Sequence, residues 1–305
     1  MRVLLGPTAS GKTAVAIPLA IRLNAEIISV DSRQIFRGME IGSAVPSLED
    51  RARVPHHLVA EVDPREEMTA WEFGRRARAV LVADIELRGK TALFVGGSGL
   101  YLRAVLGGLD ENLPRDPLVR EKLLERVARE GLPTLHAELV SLDPDTAGQI
   151  SVFDAHRVMR ALELLALTGE KPSMLRRRGK LAERSASIVV LDREQEDLER
   201  RIRERVGGMV EAGLEGEVRA LLASGLDPAA PVMKSVGYAE TIRYLEGEID
   251  RDTWIETIVV NTRRYAKRQR TWFRGIESAR WISVPADERP KDTAERVVHA
   301  FSESD

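Results

Sequence analysis

The chain is 305 residues long, which suits one large domain or a core carrying an inserted second unit. With 43% hydrophobic and 31% charged residues it can bury a core and solvate its surface, so disordered, collagen-like and low-complexity classes are excluded. It has no cysteine, hence no disulfide framework, thiolate nucleophile or Cys-type zinc site, and its net charge of −2 does not point to nucleic acid.

Residues 1–5 read as a short buried strand, followed by helical periodicity from Thr13 to Leu23 and a second apolar strand at Glu26–Val30. A helical pattern returns from about Trp71 to Arg88, and Thr91–Val95 forms another strand before Gly96-Gly97. Strands alternating with helices imply an α/β fold, a mostly parallel sheet flanked by helices. Around Leu109–Pro117 the texture changes. From Leu118 to about Arg178 only helical periodicity is present, broken by Gly131, Pro144 and Gly169 into four helices. A strand pattern resumes at Ser187–Asp192, with long helical segments up to Arg270. The division expected is core 1–114, an all-helical inserted domain 115–186, and core again from 187 to 305. Segment 176–184 is basic, and Ser302–Asp305 reads as a frayed tail. No stretch approaches the ~18 apolar residues of a membrane span. Met1 runs at once into a strand, leaving no room for a signal peptide, so a cytoplasmic, membrane-free protein is expected, and a monomer.

Gly6-Pro7-Thr8-Ala9-Ser10-Gly11-Lys12-Thr13 fits the G-x-x-x-x-G-K-[ST] pattern between a strand and a helix. Glycines allow the tight turn that points successive N–H groups inward toward a positive helix terminus. Lys12 adds a full charge, and the Thr13 hydroxyl can ligate Mg²⁺. The ligand is left open: a nucleotide is the default, with kinase or ATPase chemistry. The apolar strand ending at Asp31 could serve a metal, but Asp31-Ser32-Arg33-Gln34 suits an acceptor equally well.

Taken in order, several segments resemble the tRNA dimethylallyltransferase (tRNA isopentenyltransferase) family. They are Gly6–Thr13, Ser29–Gln34, Gly38–Gly42, Pro55-His56-His57, Val95–Tyr101, Val236–Tyr238 and Lys267–Arg274. The resemblance spans nearly the whole chain and implies a P-loop NTPase-like core with a helical insertion. It implies that the cradle holds the diphosphate of dimethylallyl diphosphate. The prenyl group then goes to the exocyclic amine of the adenosine just 3′ of a tRNA anticodon. This sequence has Ser98, Phe36 and Val45 where the family usually has Thr, Tyr and Lys.

The resemblance makes Asp31 the general base, acting with Lys12 and Thr13. It also fits the chemistry, because an adenine amine must shed a proton as its new bond forms. Thr13 is the expected Mg²⁺ ligand, with Asp31 joining through water. Ser98 and Arg219 are further candidates near the diphosphate, although Arg219, in Glu217–Leu222, reads better as a solvated surface residue. Contacts to the tRNA anticodon stem-loop are implied at Asp31, Ser32, Arg33 and Gln34, whose amide suits the edge of an extruded base. Others are implied at Ser98 and Arg120, and at His156, Arg157, Val158, Met159 and Arg160 in the insertion. The remaining ones fall at Lys234, Ser235, Val236, Gly237 and Tyr238, and at Lys267, Arg268, Gln269, Arg270, Trp272 and Arg274.

The last group stands out without the resemblance. Asn261–Arg274 holds six Lys/Arg and no acid, with Tyr265, Trp272 and Phe273 interleaved, the pattern of a phosphate-backbone footprint. His56-His57 lacks a third ligand at metal spacing and reads as a structural loop pair. A small-molecule kinase would explain the cradle but neither the basic helix nor the insertion. An RNA-binding regulator would not need intact Lys12, Thr13 and Asp31.

Overall fold

The computed structural model describes residues 1–107, 114–175 and 186–303. The chain divides into two compact units, Met1–Val105 with Arg184–Asp305, and Leu106–Glu183. The second begins several residues before the expected insertion. The basic stretch 176–184 and the last two residues of the expected tail lie outside the described residues.

The first unit is built on six parallel strands, β1 (Arg2–Leu5), β2 (Ala25–Val30), β3 (His56–His57), β4 (Thr91–Gly96), β5 (Ser187–Asp192) and β6 (Ala279–Ser283). They lie in the order β3-β2-β4-β1-β5-β6. A parallel sheet must be covered on both faces, which is why β2 is buried throughout and β5 reads Ile-Val-Val-Leu. On one face Leu4, Ile27, Leu93 and Val189 pack with Val15 and Leu19 of helix Lys12–Arg22 and with Val297 and Phe301 of helix Pro290–Ser302. That last helix and strands β3 and β6 were not expected. β3 is two residues long, and β6 keeps only Ile282 buried, so neither carries the apolar run that marks an inner strand. Ser302, expected to fray, closes the final helix.

Register sets the working edge. β1 lies between β4 and β5, so the loop after Leu5 leaves the sheet flanked by Gly96 and by the end of β5. The chain passes from β1 to β2 over the place that β4 later fills, and this reversal opens a crevice at the carboxyl ends of the strands. The turn after β4 is glycine-rich because its neighbours come so close. A methyl group on Gly96 would fall on the Val30 carbonyl, and one on Gly99 would fall on the Trp272 ring.

The second unit packs helices Pro117–Glu130, Leu132–Leu142, Pro144–Ala147 and Ala155–Thr168 around Leu123, Leu135, Leu139, Val158 and Leu162. Asp116, Asp143 and Asp154 cap three of these helices through their carboxylates. No helix among the described residues is long and apolar enough to cross a membrane.

Gly96→Ala must force β4 away from β2, and an overpacked core site of this kind costs about 1–3 kcal/mol. Thermal denaturation of the variant should show a fall in Tm of several degrees; an unchanged Tm would mean that the strands separate freely here.

Candidate active site

The loop expected to cradle phosphate follows β1. Ala9 (φ 64°) and Gly11 (φ 88°) take left-handed conformations that turn the loop into the helix Lys12–Arg22. This helix has no acidic residue in its first turn, so nothing neutralises its positive end. Among the described residues the N–H groups of Gly11, Lys12 and Thr13 have no acceptor, leaving them to a ligand. Other expected cradle positions serve the loop itself. Ser10 N–H donates to Pro7 O at 3.1 Å, and the Ser10 hydroxyl is buried with no partner. Thr8 N–H donates to Gln269 Oε1 at 2.8 Å.

Two buried side chains from distant segments hold this loop. Gln269, besides accepting from Thr8, donates through Nε2 to Gly97 O at 2.9 Å, tying the cradle to the turn after β4. Arg193, directly after β5, donates to Ser10 O at 2.8 Å, Asp197 at 2.8 Å and Pro285 O at 3.0 Å. Gln269 was expected to meet tRNA; it is 6% exposed and both ends of its amide are spent inside the protein.

A cavity of about 310 Å³ opens beside the cradle and is lined by Lys12, Thr13, Asp31, Arg205 and Tyr265 among others. Asp31, one residue past β2, accepts through Oδ1 from the N–H of Arg33 at 2.8 Å and of Gln34 at 3.4 Å. Its Oδ2 has no partner among the described residues. Burial lowers the Lys12 ammonium to about 8; the positive charge of Arg205 pushes the same way and Asp31 opposes it. Arg205 is likewise held below the usual guanidinium range by burial, again against Asp31. Burial, with the Asp31 charge adding to it, pushes the Tyr265 hydroxyl up to about 12. Two cations thus face one carboxylate in a poorly solvated cleft, and the surplus positive charge favours an anion. Arg205 was not foreseen. Its signal was present, since it interrupts the inward stripe Leu198, Ile202, Val206 of helix Gln195–Glu211, where a charge needs a partner.

The other expected residues divide by what already holds them. Gln34 lines the cavity, but its amide accepts from Ser29 Oγ at 2.8 Å and donates to Ser43 O at 3.3 Å and Ala44 O at 3.0 Å. It shapes the wall and has no free edge with which to read a base. Tyr238, 1% exposed, places its hydroxyl 2.8 Å from Glu217 and 2.9 Å from Met39 O, with its ring against Gly42. Burial pushes that hydroxyl well above its usual range. Ser32, Arg33, Lys234, Ser235, Val236 and Gly237 also line the cavity, Lys234 being exposed at its edge. Ser98 is half-buried, its N–H donating to Val30 O at 3.2 Å.

Arg219 is not brought to the cradle. It is exposed and pairs with Glu215 at 2.8 Å. On helix Leu214–Ala223 it stands two residues, about 200°, from Glu217, whose carboxylate faces inward to accept from Ile41 and Gly42. Arg270 is committed to Asp192 at 2.7 Å and Arg193 O at 3.1 Å, and Trp272 packs over Gly99 with Arg103 5.2 Å from its ring. Lys267, Arg268 and Arg274 are exposed. Lys267 and Arg274 flank a groove that also takes in Arg263 and Arg264, while Arg268 reaches the cavity. In the second unit Arg120, His156 and Arg157 are exposed. Arg160 pairs with Glu163 at 2.7 Å. Val158 and Met159 sit in the helical core at 0% and 8% exposure and cannot touch an RNA surface. His56-His57 forms β3 and is not a loop pair. His57 meets the Glu26 carboxylate at 2.7 Å, and His56 turns toward the cavity.

Thr13 and Asp31 face one cavity, and the described residues hold no group of three or more His, Cys, Asp or Glu placed to bind a metal. That donor set fits Mg²⁺, which keeps its waters and leans on a ligand's phosphates, and would not suit a fully protein-caged ion.

Comparison with known proteins gives the family. The model of the IPP transferase family matches residues 34–276, and that of the isopentenyl transferases residues 1–54. The chain is 44% identical over 301 residues to a tRNA dimethylallyltransferase of Anaeromyxobacter dehalogenans, covering 97% of this chain and 99% of that one. To the tRNA dimethylallyltransferase of Thermotoga neapolitana it is 42% identical over 306 residues, covering 99% of each. Its fold is similar to that of a tRNA isopentenylpyrophosphate transferase from Bacillus halodurans, with a TM-score of 0.70, 35% identity and coverage of 99% and 96%. It is also similar to a eukaryotic dimethylallyltransferase solved acting on tRNA, with a TM-score of 0.79, 26% identity and coverage of 99% and 79%.

Lys12 generates a pH prediction. Its ammonium is charged below about 8 and loses its proton as pH rises through that value. Affinity for inorganic diphosphate should therefore be highest near neutrality and weaken toward pH 9.5. Lys12→Met should bind more weakly and lose this component of the pH dependence in calorimetric titrations. A profile as steep in the variant as in the parent would assign the titration to another group.

Proposed function

Because the chain belongs to the IPP transferase family, we propose that it moves the five-carbon group of dimethylallyl diphosphate onto the exocyclic amine of the adenosine immediately 3′ of the anticodon. It is a transferase that prenylates tRNA, the activity named for its relatives. The observation that carries the reading is the free Oδ2 of Asp31, which shares one cavity with the cradle, Lys12 and Arg205.

The amine lone pair attacks C1 of the allyl group while the C1–O bond breaks, and diphosphate departs with the bonding electrons. Negative charge grows on the leaving oxygen in the transition state. The N–H groups of Gly11, Lys12 and Thr13 are without acceptors among the described residues. The Lys12 ammonium and Arg205 guanidinium line the cavity, held there only by long bonds to Pro7 O at 3.3 Å and Ser43 O at 3.4 Å, so all are available to stabilise that charge. The amine must lose one proton. Backbone N–H groups clamp Oδ1 of Asp31, which leaves Oδ2 as the acceptor. Thr13, with Asp31 through water, would hold a Mg²⁺ arriving with the diphosphate, which supplies further charge neutralisation. Exposed Lys267, Arg268 and Arg274 on the first unit, and Arg120 and His156 on the second, suit the phosphate backbone of tRNA, whereas exposed Arg157 is paired with Asp154 at 3.3 Å. The function is tested by incubating protein and unmodified tRNA with either dimethylallyl diphosphate or ATP and weighing the digested nucleosides. Added mass of one five-carbon unit on adenosine is expected with the former alone; phosphorylation by ATP would replace this reading with a kinase.

Asp31→Ala should lower single-turnover rates by at least about 10²-fold with little change in tRNA affinity, since a proton acceptor acts in the transition state. Equal losses in rate and affinity would make Asp31 a recognition residue.

Lys267 and Arg274 have no ion-pair partner among the described residues, so replacing both by Ala should flatten the dependence of log Kd on log salt. The change expected is roughly 0.7–0.9 for each phosphate that the variant no longer neutralises, alike for substrate and non-substrate tRNAs. An unaltered slope would remove this helix face from the RNA footprint.

A further inference from the structure

The cavity has a direction. Helix Gln195–Glu211 presents Arg205, Val206 and Met209 to it. Arg205 lines the cavity together with Lys12, Thr13 and Asp31, its guanidinium donating to Ser43 O at 3.4 Å, and so marks the diphosphate end. Met209 follows on the same face four residues later, about 6 Å along the helix axis. Helix Arg251–Arg274 runs the opposite way along this sequence of groups. Its Gln269 holds the cradle, whereas Ile258, also in the cavity wall, stands eleven residues earlier, about 16 Å away along that axis. Both helices therefore pass from polar groups at the cradle to apolar ones beyond it.

A dimethylallyl group leaving a diphosphate held beside Arg205 is about as long as one helical turn, ~5 Å. Its tail then reaches the level of Met209, one turn beyond Arg205, in the part of the wall to which Val206 and Ile258 also contribute. Val206 and Ile258 are each 1% exposed and locked in the packed core. Met209 is half-buried and unbranched, the one adaptable side chain of the three. A second isoprene unit would double the chain and need the volume that Met209 fills.

Resting on the prenyl-transfer reading above, we infer that Met209 sets the length of the donor, admitting a five-carbon allylic diphosphate and refusing a ten-carbon one. The wall it forms is a steric limit, so shortening the side chain should relax selectivity for the donor without touching recognition of tRNA.

The test compares dimethylallyl and geranyl diphosphate as donors to one unmodified tRNA, read from nucleoside masses and initial rates. Wild type and the volume-conserving Met209→Leu should transfer only five carbons. Met209→Ala should transfer ten carbons as well, raising the ratio of kcat/KM for geranyl over dimethylallyl diphosphate by at least about 10-fold, with Kd for tRNA unchanged. Met209→Val, which shortens the side chain without emptying the site, should move the ratio in the same direction. A ratio unchanged in both Ala and Val variants overturns the inference, as does a wild type that uses both donors equally well. A wild type that transfers neither chain sinks the transferase reading itself, and this inference with it.

Discussion

The buried amide of Gln269 is the interaction on which the site depends. It accepts from Thr8 in the cradle and donates to Gly97 after β4, closing two loops separated by some ninety residues with a side chain from a third segment. Each backbone group left bare in such an interior costs about 1–3 kcal/mol, so the two bonds stand or fall together. Arg193 does the same from the β5 side through Ser10 O. The loop makes few bonds of its own, Ser10 N–H and Lys12 Nζ both donating to Pro7 O, at 3.1 and 3.3 Å. The rest of its preorganisation is supplied from outside, by two polar side chains that the core keeps dry.

Preorganisation matters because the chemistry is electrostatic. Lys12 and Arg205 repel each other across a poorly solvated cleft, and Asp31 offsets only part of that repulsion. The diphosphate proposed to bind there would relieve the strain by supplying the missing counter-charge, and the relief would grow as charge developed on the leaving group. The carboxylate that moderates the cations is the one proposed above as proton acceptor. One oxygen is held by Arg33 and Gln34 N–H, and the other has no partner among the described residues.

Arginine is abundant, and most arginines are already engaged. Arg270, Arg160, Arg219 and Arg193 have carboxylate partners, whereas Lys267 and Arg274 have none among the described residues. A basic run in a sequence thus overstates the charge available to RNA. Only tertiary pairing shows which cations remain free to neutralise phosphate.

The sequence by itself determined what rests on local rules. Continuous apolar runs marked β1, β2, β4 and β5, helical periodicity marked the insertion, and the Gly6–Thr13 spacing marked the cradle, because parallel strands, helices and phosphate loops each impose a short-range pattern. Asp31 was legible from its place at the end of a strand. The tertiary structure decided what depends on partners far along the chain. It turned Gln34, Gln269 and Tyr238 from recognition groups into internal braces, withdrew Val158 and Met159 into a core, sent Arg219 to the surface and brought Arg205 to the cradle. A hydrogen-bonding side chain reads the same in sequence whether it faces a ligand or a buried carbonyl, and only the packing around it settles which one it meets.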